Sequence, residues 1–335
     1  MARQGSRRGR CMSELRELAA LSVRIGRDPE QVQAAGGNSS IKQGGVLWVK
    51  ASGLWLRDAL DRALFVPVDL AAVRRVIGEG NEADVRAATL EDRNPAGLRP
   101  SIETSLHALL PQRIVLHTHS VRTIAHAIRE DAQALLQEKL GGLAWVWVPY
   151  VHPGLALTRA IRDAIGTCAV DVVVMGNHGL VITSDTVEGA AARLEQVERR
   201  LDLPTTAAST TAPSNRPPGL RPVAHGKAHA LAHDATMRKR ALSGSFYPDH
   251  VIFLGPAART GTEDGSFARL TLLEGQGAFL PADAGPSADE LALCLALVLE
   301  RVPQEAALVR LTPGAEAALL DWDAEKYRQA LQRAL

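Results

Sequence analysis

The sequence predicts an α/β protein, a sheet with helices packed on both of its faces, followed by a smaller α+β lobe. Three observations predict it. Strand-like and helix-like apolar patterns alternate in mixed order from Ser13 to Leu201. From Leu203 to about Arg221 the chain is rich in Pro, Thr, Ala, Ser and Gly and nearly devoid of large apolar residues, which is linker composition. A second apolar unit then runs to the end of the chain. The expected boundaries are a disordered tail at 1–12, a first domain at 13–202, a linker and helix at 203–245, and a small C-terminal lobe at 246–335.

The elements follow in order. Leu15, Leu18, Leu21 and Val23 to Ile25 give an apolar stripe that predicts a helix from Ser13 to about Arg27. The Gly36-Gly37 pair punctuates the chain, and Gly44-Gly45 between two apolar-polar stretches predicts a hairpin over Ile41–Lys50. Ser52-Gly53 ends its second strand. Val66 to Leu70 predicts a short edge strand and Leu70 to Ile77 a helix start. Ser101 to Leu110 again has helical spacing, with Glu103 and His107 one turn apart. Ile114 to His119 is a buried strand, Val121–Ile128 and Ala132–Leu140 are helices, and Trp145–Val148 is a strand. A helix at Arg159–Ile165, strands at Ala169–Met175 and Leu180–Thr183, and a helix at Val187–Leu201 complete the first domain. In the C-terminal lobe, Val251–Leu254, Ala268–Leu273 and Phe279 read as strands, and Ala288–Val302 and Ala315–Leu335 as two helices.

Composition removes several classes of function. Of 335 residues, 46% are hydrophobic and 22% charged, with a net charge of +1, so nothing points to a nucleic-acid or membrane surface. No apolar run approaches the roughly eighteen residues of a membrane span. Cys11, Cys168 and Cys294 are few and widely separated, which argues against a disulfide framework and for a reducing, cytoplasmic setting. The first eleven residues are basic but lack the apolar core of a signal peptide. A disordered tail or a misplaced start is expected there, with a transit-like segment as the alternative.

The chemistry centres on His117 and His119 in Leu116-His-Thr-His-Ser. Side chains at i and i+2 of a strand share a face, so both imidazoles can reach one ion. His178, in Gly176-Asn-His-Gly, supplies a third imidazole, and Glu103 a carboxylate that would complete a four-ligand site. An unpartnered ring on a buried strand is costly, which favours a ligand role over chance. Zinc suits imidazole ligands best, with manganese, cobalt and iron as alternatives. Glu103 is otherwise a capping carboxylate. His107 either orients Glu103 or packs the helix. Gly36, Gly37, Asn38, Ser52 and Gly53 offer the N–H groups, hydroxyls and amide that cradle anions, although such a segment is also an ordinary turn. His225, His229 and His233 recur every four residues, on a solvated helix face or as a second metal site.

Five ordered blocks, Ala35-Gly-Gly-Asn-Ser-Ser-Ile-Lys, Val49-Lys-Ala-Ser-Gly, Pro100-Ser-Ile-Glu-Thr-Ser-Leu-His, Leu116-His-Thr-His-Ser and Gly176-Asn-His-Gly, resemble the class II aldolase/adducin family, the fold of fuculose- and rhamnulose-phosphate aldolases. The resemblance covers Ser13 to Leu201. It implies a three-layer α/β/α domain with a central mixed, largely antiparallel sheet, and zinc held by His117, His119 and His178, with Glu103 as a resting-site ligand and catalytic base. It carries substrate phosphate contacts onto Gly37, Asn38, Ser52, Gly53 and Ser101. Ile102 stands where these aldolases can have a second serine. The family's proton-donor tyrosine has no match between Arg129 and Leu140, so Tyr150 is a candidate by residue type alone, the alternative being a loop residue packed beside Pro149. The segment from Tyr247-Pro-Asp-His-Val to Glu325-Lys-Tyr-Arg resembles the part that follows the aldolase domain in fusions to a short-chain dehydrogenase. The chain is expected to lack the dehydrogenase part of such fusions.

The resemblance implies a metal-dependent lyase that makes or cleaves a C–C bond of a sugar phosphate or sugar acid through an enediolate, working as a homotetramer. Three rivals stand beside it. One is an epimerase or decarboxylase of a sugar phosphate or 3-oxo sugar acid using the same site. A second is an adducin-like scaffold without catalysis, and the third is a split system with a separate dehydrogenase partner.

Overall fold

The computed structural model describes residues 2–205, 213, 217–261 and 270–333, with the side chains of 2–12, 332 and 333 outside the described set. In chain order the chain forms α1 (Ala2–Gly26), the strands β1 (Asn38–Gln43), β2 (Val46–Lys50) and β3 (Phe65–Asp69), and the helices α2 (Leu70–Glu79), α3 (Glu82–Ala87) and α4 (Thr104–Leu109). Next come β4 (Ile114–Thr118), α5 (Val121–Ala127), α6 (Ala132–Leu140), β5 (Trp145–Val148), α7 (Leu155–Ile165), β6 (Val172–Met175), β7 (Gly179–Ser184) and α8 (Val187–Arg200). The rest is β8 (Leu220–Pro222), α9 (Ala230–His233), α10 (Ala235–Leu242), α11 (Pro248–Leu254), β9 (Thr271–Leu273), β10 (Gly277–Pro281), α12 (Pro286–Arg301), α13 (Pro313–Asp321) and α14 (Asp323–Arg333). Residues 2–12, expected as a disordered tail, are instead the first part of α1, their side chains lying outside the described set.

Contacts divide the chain into two units. The first is Met1–Thr118, Leu140–Met175 and Leu180–Arg200; the second is His119–Lys139, Gly176–Gly179 and Leu201–Leu335. Two short segments inside the 13–202 stretch therefore belong with the C-terminal lobe.

Among the described residues the first unit holds a seven-stranded sheet in the order β3-β2-β1-β4-β7-β6-β5. Its β1–β2, β2–β3, β1–β4 and β4–β7 pairs are antiparallel and β5–β6 is parallel. The β1–β2 turn is the expected glycine pair, with φ of 57° at Gly44 and 80° at Gly45, values a side chain would oppose. Pro67 lies in β3 at the sheet edge, where a missing N–H costs no ladder bond. One face of the sheet is covered by α2, α3, α4 and α7, whose Val73, Val85, Leu106 and Ile161 pack on Val49, Val66, Val115, Val173 and Val181. The other is covered by α1 and α8 through residues such as Leu18, Leu21, Leu194 and Val197. This is the three-layer, largely antiparallel architecture expected.

The second unit contains a three-stranded antiparallel sheet, β8-β10-β9, and α12, whose Leu291, Leu295, Val298 and Leu299 are all buried. Four expectations are corrected here. Val251–Leu254 is not a strand but the end of α11, started by Pro248 and closed by Gly255 at φ 88°. It is buried on every side, and a short apolar run has no periodicity to tell helix from strand. The last expected helix is two, α13 and α14, broken where Trp322 adopts an extended conformation with ψ 123°. The three spaced histidines do not share one helix: His225 precedes a 3-10 turn (Gly226–His229), and α9 ends at His233. Leu220–Arg221, read as linker, belong to β8, while residues 206–212 and 214–216 of that stretch lie outside the described set. No described helix is long and apolar enough to cross a membrane.

Candidate metal centre

β4 lies at the centre of the first sheet and is buried along its whole length. Strand alternation puts Val115 and His117 on the face covered by α4, beside Ser40 and Asn38, which pair with them across β1. Thr118 pairs with Leu180 at the start of β7. The chain therefore delivers His119, one residue past β4, and His178, two residues before Leu180, to the same end of the sheet. Ser120 caps α5 by accepting from the N–H of Thr123 at 3.2 Å, which ends the extended run just after His119.

His117, His119 and His178 are buried, and each offers a ring nitrogen within 4.8 Å of the others. Hydrogen bonding sets which nitrogen is available. Nδ1 of His117 is 3.0 Å from the carbonyl oxygen of Leu180, an acceptor only, so Nδ1 carries the proton and Nε2 keeps a lone pair. Nδ1 of His119 lies 3.0 Å from Asp249 Oδ2. An imidazole with Nδ1–H held by a carbonyl and Nε2 available, as in His117, is a donor of the kind zinc takes. The residues fit a divalent ion with nitrogen preference.

Glu103 precedes α4 and is 5% exposed. Its Oε2 accepts from Asn38 Nδ2 at 2.6 Å and lies 3.4 Å from Nε2 of His117, so the carboxylate adjoins the imidazoles as expected. Ser101 Oγ accepts from the Glu103 N–H at 3.2 Å and fixes the backbone there. His107 does not turn toward Glu103. Its Nδ1 is 2.7 Å from Ser40 Oγ, and burial, followed by the charge of His117, holds it well below the usual histidine range.

The anion-cradle residues sit at the same end of the sheet. Ala51 and Pro100 form an isolated bridge, with Ser52 N–H bonded to Arg99 O at 2.9 Å and Ser101 N–H to Lys50 O at 3.0 Å, so Ser52-Gly53 and Ser101 lie on neighbouring segments of the chain. Gly37 has φ 64°, and a Cβ there would come within 2.8 Å of the His117 carbonyl oxygen. Only glycine fits. Asn38 directs its amide to Glu103, a contact the sequence did not suggest. Tyr150 follows β5 at the far edge, three strands from β4. Its hydroxyl has no hydrogen-bond partner among the described residues, and burial pushes the phenol up to about 12.

In the second unit His229 is buried and its Nδ1 accepts from Ala278 N–H at 3.1 Å, while His225 faces Glu290 at 3.3 Å. These histidines form no cluster with metal spacing among the described residues.

Sequence reasoning missed Asp249 and Asn177. Burial would raise the Asp249 carboxyl, but the Arg328 guanidinium and then His119 outweigh it and hold it well below the usual carboxylate range. Asn177 has φ 51° and donates its amide to Phe246 O at 2.9 Å and Val309 O at 2.8 Å. The Tyr-Pro-Asp-His run was the one sequence signal for Asp249.

A mixed sheet between helical layers, with a cluster of three buried histidines that could hold a metal ion and a neighbouring glutamate, defines an α/β protein with a candidate metal centre. The chain matches the family described as "Class II Aldolase and Adducin N-terminal domain" over residues 16–203, more than half its length, and belongs to that family. A relative from Bacillus subtilis (strain 168), named "Uncharacterized oxidoreductase YuxG", is 31% identical over 188 residues, covering 51% of this chain. The match covers 27% of that relative, so the chain spans little more than a quarter of its length. Among solved structures, the N-terminal class II aldolase domain of a conserved Thermoplasma acidophilum protein is 26% identical, covering 55% of this chain and 90% of that one, with a TM-score of 0.49. YgbL from Escherichia coli, described as a putative aldolase/epimerase/decarboxylase, is 19% identical over 56% of this chain and 86% of its own, with a TM-score of 0.41. L-fuculose-1-phosphate aldolase from Thermus thermophilus is 15% identical over 55% of this chain and 91% of its own, with a TM-score of 0.37.

Proposed function

We propose that the chain is a class II aldolase-type lyase that cleaves or forms a C–C bond of a sugar phosphate or sugar acid. The observation that carries the reading is Glu103 Oε2, 3.4 Å from Nε2 of His117 within a three-imidazole cluster. His117, His119 and His178 would hold zinc, with Glu103 as a further ligand before substrate arrives. A bound divalent ion supplies Lewis-acid stabilisation of negative charge on a substrate's oxygens. In the addition direction Glu103 takes the proton from the carbon that attacks the aldehyde as the C–C bond forms, and in cleavage it returns a proton to that carbon after the bond has broken. Asn38 keeps the carboxylate aimed, and the N–H groups and hydroxyls of Gly37, Ser52, Gly53 and Ser101 bind the substrate's anionic end. No lysine Schiff base enters.

The family resemblance supports a homo-oligomer in which the proton donor comes from a neighbouring subunit. Tyr150, at the far edge of its own sheet, is the candidate for that role. A retro-aldol screen of sugar phosphates and sugar acids, comparing wild type with Glu103→Ala and His119→Ala, tests the reading. Aldehyde release by wild type that both substitutions abolish supports it. An epimerised or decarboxylated product without aldehyde contradicts it and favours the related chemistries of the same site.

A further inference from the structure

Two of the three candidate ligands are held by one segment of the C-terminal lobe. Asp249, in the first turn of α11 and 3% exposed, sets Oδ2 3.0 Å from Nδ1 of His119. Its other oxygen is bonded by Arg328 of α14, whose Nε is 2.9 Å from Glu325 Oε2. Three residues before Asp249, the carbonyl of Phe246 accepts from Asn177, the residue just ahead of His178. Asn177 is in the left-handed region and is held again by Val309 O, so the turn that presents His178 is anchored twice. All these residues lie in the second unit.

A buried aspartate opposite Arg328 could be only a structural ion pair, and such pairs add little net stability. Two features go beyond that. The carboxylate is shared with a ring nitrogen 3.0 Å away, the placement of a carboxylate partner that orients a ligand imidazole. The same segment independently fixes the turn carrying a second imidazole.

We propose that the segment Phe246–Asp249 positions the metal site, Asp249 as the carboxylate partner of His119 and Asn177 as the clamp on the His178 turn. These contacts, all within the second unit, then form the supporting shell of His119 and His178. This rests on the reading of His117, His119 and His178 as metal ligands.

The test is zinc affinity of the full-length protein, measured by competition with a chromophoric chelator. Asp249→Asn is expected to weaken binding roughly 10–100-fold, the range typical of such outer partners. Asn177→Gly, which keeps the backbone conformation and removes the amide, is expected to weaken it several-fold. Asp289→Asn, which breaks an ion pair with Arg221 in the same lobe, should leave affinity unchanged. Affinities of Asp249→Asn and Asn177→Gly within twofold of wild type would overturn the proposal, as would an equal loss in Asp289→Asn. Wild type that binds no zinc overturns the metal reading itself, a distinct outcome. If Asp249→Asn does not fold, histidine ring NMR of zinc-loaded wild type decides: a proton on Nδ1 of His119 supports the proposal, and zinc on Nδ1 overturns it.

Discussion

Asn38 donates its side-chain amide to Glu103 Oε2 over 2.6 Å, joining the first residue of β1 to the residue that opens α4. The bond is buried and charge-assisted, the stronger class of hydrogen bond. It fixes the carboxylate oxygen that faces His117.

Removing that bond should cost turnover more than binding. A hydrogen bond to a charged group is worth about 1.5–3 kcal/mol, so Asn38→Ala should lower kcat roughly 10–100-fold. Steady-state kinetics with the substrate found by screening checks it. A change in KM alone would show that Asn38 serves the substrate's anion instead.

Glu103→Gln keeps the size of the side chain and removes the base. Loss of general-base catalysis predicts a fall in kcat of roughly 10²–10⁴-fold. Zinc should still bind, because three imidazoles remain. Metal analysis alongside the kinetics separates loss of the base from loss of the ion.

Gly37→Ala places a methyl group against the His117 carbonyl at φ 64°. The left-handed conformation alone costs a residue with a Cβ roughly 1–2 kcal/mol. A lower melting temperature and weaker zinc binding are expected together, because the strained backbone abuts β4. Calorimetry with and without zinc checks both.

Two pH dependences follow from burial. Burial, then the charge of Arg74, lowers Lys42 from 10.5 to about 7. Between these values the unfolded chain binds more protons than the folded one, so this contribution to stability is lost as pH falls from 10.5 through 7. Lys42→Met should flatten that part of the stability profile. Burial likewise lowers His126 from 6.5 to about 4, so its contribution is present above 6.5 and is lost toward pH 4. Denaturant unfolding across about pH 4–10 in wild type, Lys42→Met and His126→Gln checks both slopes.

Much of the first unit was legible because its signals are local. Gly44-Gly45 announced a hairpin, and β5 and α8 appear where the pattern put them. The pair His117 and His119 was readable because i, i+2 spacing along an extended run has one geometric meaning, whereas His178 stands in a turn that no such spacing links to the pair. The lobe was less legible. α11 is buried all round and showed no helical stripe, and the break at Trp322 has no glycine or proline to mark it. Asp249 meets His119 only through tertiary folding, across a separation that no spacing rule reaches.

The central claim is that His117, His119 and His178 form one metal centre. Zinc titration of metal-free wild type, set beside His178→Ala, tests it most directly. The account predicts one zinc per chain, a raised melting temperature on loading, and loss of both in His178→Ala. Wild type with no zinc affinity, or His178→Ala that binds as tightly as wild type, would contradict it.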